Sequence, residues 1–391
     1  MPSRIALYSA VGPDITRYEV DVEAATLKRR ETIRALANVQ YAWSHPSRRW
    51  LYVATSNRGP GLKADSNHVS AFRIDPDTGK LIPHGEPQVQ YARAVHICVH
   101  PHGNHLLSGH NLPRTGLTVN PINADGTLAK EIKQPDGIDY GIYPHQVMAT
   151  PSGRAAILVD RGNDGEHGRP EDPGALRYYG FEDGRLSMLE TVAPNWGYGF
   201  GPRHLDFHPT QPWTYVSLER QSQLYMYRSK GDAIESTAAY VRETLADPKG
   251  IKPRQLAGAI HVHPNGRYVY VMNRSDNATD HNDTKIFAGG ENSIAVFALD
   301  ELTGEPTLIQ HADTDSIHVR TFAFDPEGQL MVAASIKPLA VRTSSGVEIV
   351  PAALSVFRVG ADGLLRFVRR YEVPTNGAVH YWMGIVALPD Q

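Results

Sequence analysis

Arg203 and Glu219 stand sixteen residues apart in the stretch Gly201–Arg220, GPRHLDFHPTQPWTYVSLER. The stretch reads as a strand, a tight turn at His208-Pro209 and a second strand. Arg203 opens the first strand and Glu219 closes the second, so a hairpin sets them together at one end. A guanidinium holds carboxylate or phosphate groups through paired hydrogen bonds, and it stabilises negative charge developing on a carbonyl oxygen. Residues of matching chemistry recur at His145, Arg274 and Arg320. Histidine, with an ordinary pKa of ~6.5, suits proton transfer near neutral pH. Together these residue types suggest a site that holds an anionic molecule and can move a proton.

The elements that must position them repeat. A short alternating segment ends in His-Pro or a variant, a turn follows, and a second apolar segment comes next. The instances are YAWSHPSRRWLYVAT from Tyr41, ICVHPHGNHLLSG from Ile97, VMATPSGRAAILVD from Val147, LDFHPTQPWTYVSL from Leu205, IHVHPNGRYVYVMN from Ile260 and FAFDPEGQLMVAAS from Phe322. A degenerate seventh, MGIVALPD from Met383, ends the chain. The anchor prolines, Pro46, Pro101, Pro151, Pro209, Pro264, Pro326 and Pro389, lie 50 to 63 residues apart. Two more strand-like runs follow each hairpin, as in SIAVFAL from Ser293 and PTLIQHA from Pro306, split by the turn DELTG. Helical periodicity is nearly absent, with one helical turn expected within 232–245.

Four-stranded repeats of this length are the signature of a β-propeller. The C-terminus supplies one strand for the seventh repeat, around Met383–Leu388. The N-terminus supplies three unassigned ones, RIALYSAV from Arg4, ITRYEVDV from Ile15 and LKRRETI from Leu27. One and three make a blade that closes the ring and removes its edges. Tandem β-sandwiches would predict neither the period nor the complementary ends. The expectation is an all-β, seven-bladed β-propeller, a single domain over 1–391.

In a propeller the first strand of each blade lines the central channel, and its start shares a face with the end of the second strand. The first set of positions, six residues before each anchor proline, is Gln40, Val95, His145, Arg203, Gly258, Arg320 and Met383. The second set includes Asp160-Arg161, Glu219-Arg220, Asn273-Arg274 and Lys337. The combined rim is mainly cationic, with one carboxylate, Glu219. Charges aimed into a narrow channel lose water and need partners. The simplest missing partner is an anionic ligand; backbone carbonyls and channel waters are the alternative. Arg320, Arg161, His204 and Asn273 are the expected substrate-binding residues. The inserts 162–174, 275–291 and 336–351 follow second strands and read as loops overhanging the same mouth.

Other signals are weaker. His100, His208 and His263 recur with the repeat and read as turn and packing residues. His96, His110, His204, His261 and His318 could approach the mouth, but no HExxH or EF-hand pattern accompanies them, so no metal is assigned. No P-loop, GxSxG elbow or dinucleotide fingerprint is present, and no cofactor is expected. A formal charge of −3 gives no electrostatic reason to expect nucleic acid or a membrane surface. Cys98 is the only cysteine, so no intrachain disulfide can form. No long apolar run or signal-type cleavage pattern opens the chain, which suggests a cytoplasmic protein.

At these residues the sequence resembles the seven-bladed propeller lactonase family, which includes the bacterial propeller-type 6-phosphogluconolactonase and the fungal 3-carboxy-cis,cis-muconate cyclase. The likeness covers essentially the whole chain. It is densest in YPHQV around His145, GPRHLDFHP around Arg203, the strand end at Glu219, IHVHPNGRYVYVMNR ending at Arg274, and HVRTFAFDPEG around Arg320. The inserts at 162–174 and 275–291 depart from the family's usual length. The resemblance implies that His145, Arg203, Glu219 and Arg274 match the family's proposed active-site residues, with Arg320 a further channel arginine. On that reading Arg203 and Arg274 stabilise an oxyanion or clamp the substrate anion. His145 acts as base with Glu219 orienting it, or Glu219 is itself the base. The leading function is metal-free hydrolysis of an anionic lactone, sugar-phosphate or carboxylate-bearing. The alternatives are a lactonizing cycloisomerase of a muconate-like substrate and a non-catalytic binding propeller, for which Trp196, Tyr198 and Phe200 would supply an apolar rim.

Overall fold

The structure is a computed structural model that describes residues 4–59, 62–165 and 168–389. Seven sheets form a ring. Their first strands are Val39–Ser44, Arg93–Val99, Pro144–Ala149, Pro202–Phe207, Leu256–Val262, Val319–Phe324 and His380–Ala387. Each touches the next in that order, and the seventh touches the first. The seventh blade runs Thr26–Arg34, Asp14–Asp21, Ile5–Val11, His380–Ala387, three strands from one end of the chain and one from the other. The closing ladder extends from Ile5 opposite Ala387 to Val11 opposite His380.

Burial follows position in the blade. The second strands, such as Ala155–Asp160, Trp213–Leu218 and Leu330–Ser335, are buried at every residue because a neighbouring blade covers each face. Their near-continuous apolar sequences suit that two-sided burial. The outermost strands, such as Arg185–Val192, keep most side chains in water.

Blades are joined by a repeated side-chain staple. The Nε2 atoms of His45, His100, His208 and His263 each lie 2.8 Å from a glycine carbonyl in the next blade's turn, at Gly103, Gly153, Gly266 and Gly328. Backbone N–H groups within each histidine's own turn donate to Nδ1, so Nε2 carries the proton and donates. These are the turn and packing roles expected of His100, His208 and His263. The four glycines have φ between +71° and +74°, and a Cβ on any of them would fall 2.3 to 2.9 Å from the histidine ring. A second staple runs from second-strand tyrosines. Tyr8, Tyr52, Tyr215 and Tyr270 donate to the carbonyls of Gly79, Gly126, Gly304 and Gly363 in the adjacent blade.

Three expectations need correction. The second blade has three strands, Arg93–Val99, His105–Leu112 and Gly116–Pro121; irregular chain, bridged at Ile122 and Leu128, follows them. Segment 232–245 holds no helical turn. It contributes Ala233–Ile234 and Tyr240–Glu243, the latter pairing with the ladder groups that Gln223–Lys230 would otherwise leave open. The inserts 275–291 and 336–351 are not loops but hairpins, Ala278–His281 with Thr284–Phe287 and Leu339–Thr343 with Gly346–Val350. A parallel bridge from Ile286 to Ala340 joins them into one four-stranded sheet. Asn282 and Asp283 are both left-handed, which is the turn chemistry of a two-residue hairpin.

The staple predicts coupled stability. Gly328→Ala is expected to destabilise by about 1–3 kcal/mol, from a left-handed alanine and its clash with His263. In a His263→Ala background the same change should cost less, because the ring it strikes is gone. Urea unfolding of the four proteins measures this, and additive costs would mean that the two residues do not touch.

Candidate active site

Every blade's inner hairpin shifts register at the same place, near the start of the first strand. The extra residue leaves the ladder, and a bulge of this kind re-aims its side chain. The bulged residues are Gln40, Val95, His145, Arg203, Gly258 (which with Ala259 stands opposite Met272), Arg320 and Tyr381. Six are the positions the repeat predicts. The seventh is Tyr381, not Met383, which pairs with Ser9 and packs in an apolar cluster with Leu330 and Val332. The final strand pairs on through Ala387 with no turn before Pro389, so counting back from that proline lands two residues late.

The mouth opens into a cavity of about 580 Å³. Six arginines line it (Arg93, Arg161, Arg220, Arg254, Arg274 and Arg320) against three carboxylates, Asp164, Glu219 and Asp276. Glu219 is buried at its centre. Its Oε1 accepts from Arg203 Nε at 2.9 Å and from Arg274 Nη2; its Oε2 accepts from Arg161 Nη1 at 2.7 Å. Burial alone would raise the carboxyl, but the three guanidiniums outweigh it and hold Glu219 well below the usual carboxylate range. Arg203, wholly buried, is pushed down to about 9 by desolvation and the nearby Arg274 charge. Arg203 Nη1, Arg161 Nε and Arg274 Nε have no hydrogen-bond partner among the described residues.

Arg274 is held from both sides. Its Nη1 lies 2.9 Å from His318 Nε2. Arginine only donates, so Nε2 accepts and the His318 proton sits on Nδ1, 3.3 Å from Asp276 Oδ2. Burial brings the His318 pKa down to about 4, keeping the ring neutral. Asp276 also takes Arg254 Nε at 2.9 Å and Lys337 Nζ at 3.1 Å. On the next blade Arg320 lies 3.8 Å from the Tyr381 ring centroid and has no carboxylate partner among the described residues. Arg93 spans Gln40 Oε1 and Tyr381 Oη, both at 2.7 Å.

His145 lines the cavity, and its Nδ1 has no partner among the described residues. Its ring packs on His204, and His204 on His96, with centroids 5.1 and 5.6 Å apart. Desolvation, then Arg203, Arg320, Arg161 and Arg274, push His145 well below 6.5, so it is neutral at pH 7. A neutral imidazole beside guanidiniums that await a counter-ion can take a proton from water while they receive an anion.

The family described as "Lactonase, 7-bladed beta-propeller" matches residues 5–343. The chain belongs to this lactonase family. It is 27% identical over 359 residues to the 6-phosphogluconolactonase of Pectobacterium carotovorum, covering 92% of this chain and 91% of that protein. It is 26% identical over 339 residues to the 6-phosphogluconolactonase of Bacillus subtilis, covering 85% and 87%. The periplasmic gluconolactonase of Pseudomonas aeruginosa has the same fold, with a TM-score of 0.71 at 21% identity over 99% of this chain and 100% of that one.

Within this lactonase fold, His145, Glu219, Arg274, Arg320 and Arg161 all reach the cavity. Arg203 stands behind Glu219, and His204 lies beneath His145. Asn273 does not reach it. Successive side chains on a strand take opposite faces, so with Arg274 at the mouth Asn273 turns into its blade and bonds Thr244 and Ser293. No hydrogen bond joins Glu219 to His145 among the described residues; the Glu219 oxygens are occupied by arginines. Trp196 and Tyr198 are exposed outside the cavity, and Phe200 is buried in the core. Sequence reasoning missed Tyr381, Arg93 and Asp276. The first needed the bulge, and the last stood in an insert taken for a loop. Among the described residues no three His, Cys, Asp or Glu side chains form a metal-binding group, and no helix is long and apolar enough to cross a membrane.

Glu219→Gln removes the shared counter-charge of three arginines and is expected to destabilise by about 3–5 kcal/mol. Because the folded carboxyl titrates below its unfolded value, its stabilisation is complete above pH ~4.3 and is lost as pH falls below it. The buried neutral histidines lower stability below pH ~6.5 in both proteins. Melting temperatures from pH 7 to 3 should therefore diverge least at the acid end. A constant gap throughout would mean that Glu219 is not held by the arginines.

Proposed function

We propose that this protein hydrolyses a lactone bearing a phosphate or carboxylate, at the channel mouth. The observation that carries this reading is the surplus of guanidinium: three arginines share one buried carboxylate, and Arg320 has none among the described residues. The relatives named 6-phosphogluconolactonase favour a phosphorylated sugar lactone.

In the reaction, water adds to the lactone carbonyl and gives its proton to neutral His145. The carbonyl oxygen becomes an oxyanion, which Arg274 and Arg161 stabilise as the charge forms. Their positions are set beforehand, by Glu219 for both and by the Asp276–His318 pair for Arg274. The substrate's anionic group neutralises part of the cationic field that depresses His145, so binding makes the base stronger. Glu219 remains ionised throughout and acts as a positioning residue.

The test is a pH-indicator assay with 6-phosphogluconolactone, uncharged gluconolactone and carboxymuconolactone. The anionic lactones should be preferred, and His145→Ala should lower kcat/KM by ~10²–10⁴-fold. Arg274→Ala should be similarly damaging. The acid limb of kcat/KM should lie below pH 6.5, because His145 must shed its proton to act and its pKa in the free protein is depressed. Equal turnover by parent and variants would reject the site. Turnover of no lactone, with lactone formation from a carboxymuconate, would replace hydrolysis by cyclisation.

A further inference from the structure

Opening a lactone needs a second proton transfer. When the ring carbon–oxygen bond breaks, the departing oxygen would leave as a strongly basic alkoxide unless an acid protonates it. Of the groups described so far, Glu219 and Asp276 are ionised acceptors and the His318 proton faces Asp276, so the donors left are the His145 imidazolium formed as water attacks and whatever further acid the cavity wall supplies.

The Tyr381 hydroxyl answers this need. It lines the cavity from the seventh blade, three blades on from Glu219 in the fourth, carried there by the bulge in the ring-closing strand. Arg93 Nη2 donates to Oη at 2.7 Å and so occupies an acceptor position of the hydroxyl. The hydroxyl's own hydrogen has no acceptor among the described residues and is free for a cavity ligand. Arg93 cannot drift, because its Nε is held by Gln40, whose amide is fixed to the Asn38 and Ser56 carbonyls. Arg320 lies over the ring at 3.8 Å from its centroid. A phenolate formed here would meet two guanidiniums already in place.

Resting on the hydrolase reading above, we propose that Tyr381 is the catalytic acid that protonates the departing ring oxygen of the lactone. As the tetrahedral intermediate collapses, the ring carbon–oxygen bond breaks and its electron pair takes the proton from Oη. The product is a free hydroxyl and a carboxylic acid, with Tyr381 left as phenolate and His145 as imidazolium. Proton return from imidazolium to phenolate through water resets both groups, and the new acid loses its own proton to solvent.

The electrostatics agree. Desolvation would raise the phenol, but Arg320, Arg93 and, across the channel, Arg203 bring it down to about 8. From the neighbouring blade Gln40 adds no charge. His380, on the same strand, is tied to Ser9 Oγ and the Ser335 carbonyl. The acid is therefore protonated at neutral pH, yet gives its proton up more readily than an ordinary tyrosine.

The deciding variant is Tyr381→Phe, which keeps a ring beneath Arg320 and removes the proton. With an aliphatic sugar lactone kcat should fall by ~10²–10⁴-fold while KM changes little. With an aryl lactone such as dihydrocoumarin, whose phenol leaves without help, the variant should stay within a few-fold of the parent. The basic limb of the parent's kcat profile should disappear from the residual activity. Ultraviolet titration should show one tyrosine ionising near pH 8 in the parent and none there in the variant. Should Tyr381→Phe fail to fold, Arg93→Gln provides a second route and should move the basic limb to higher pH. Equal losses on both lactones, or an unchanged basic limb, would overturn the assignment and leave Tyr381 as a support for Arg320. If the parent itself opens neither lactone, the hydrolase reading falls, and this proposal with it.

Discussion

The ladder between Ile5–Val11 and His380–Ala387 turns an open fan of sheets into a ring. An unclosed propeller would expose two strand edges and could not hold its blades at a fixed angle. Closure also brings Tyr381, ten residues from the end of the chain, between Arg93 of the second blade and Arg320 of the sixth. The histidine and tyrosine staples hold the spacing at five of the seven blade junctions by bonding one blade to a turn of the next. A mouth lined by residues from several blades inherits its precision from these contacts, not from any one hairpin.

Within that ring the electrostatics are deliberately unbalanced. Glu219 is worth more to the site than its single charge suggests, because it orients three guanidiniums that would otherwise repel one another at close quarters. It leaves several of their N–H groups unused. Desolvation and the cationic field together keep His145 unprotonated, while the same field eases the loss of a proton from Tyr381. In the proposed reaction this leaves His145 free to accept a proton at neutral pH, at a cost in basicity that the substrate anion would relieve, and makes Tyr381 a stronger acid than an ordinary tyrosine. An anionic substrate would supply the missing counter-charge and complete the site.

The paired inserts of the fifth and sixth blades add a sheet that a bare propeller lacks. Asp276 opens the first insert and Lys337 stands at the start of the second, so the salt bridge between them links the added sheet to the arginine chain. Changes in these hairpins would be felt at Arg274 through His318.

The repeat of anchor prolines, the complementary termini and the alternation of short apolar runs were enough to specify seven blades and their closure. They also placed His145, Arg203, Glu219, Arg274 and Arg320 at one end of their hairpins, because strand geometry converts a fixed count from a turn into a fixed height. Where that count failed, at Met383, the last repeat has no turn to count from. Which neighbour each side chain meets depends on contacts between residues from different blades, dozens to hundreds of positions apart. The sharing of Glu219, the proton on His318 Nδ1 and the cradle around Tyr381 arise only when the ring closes and burial removes the water that would otherwise screen them.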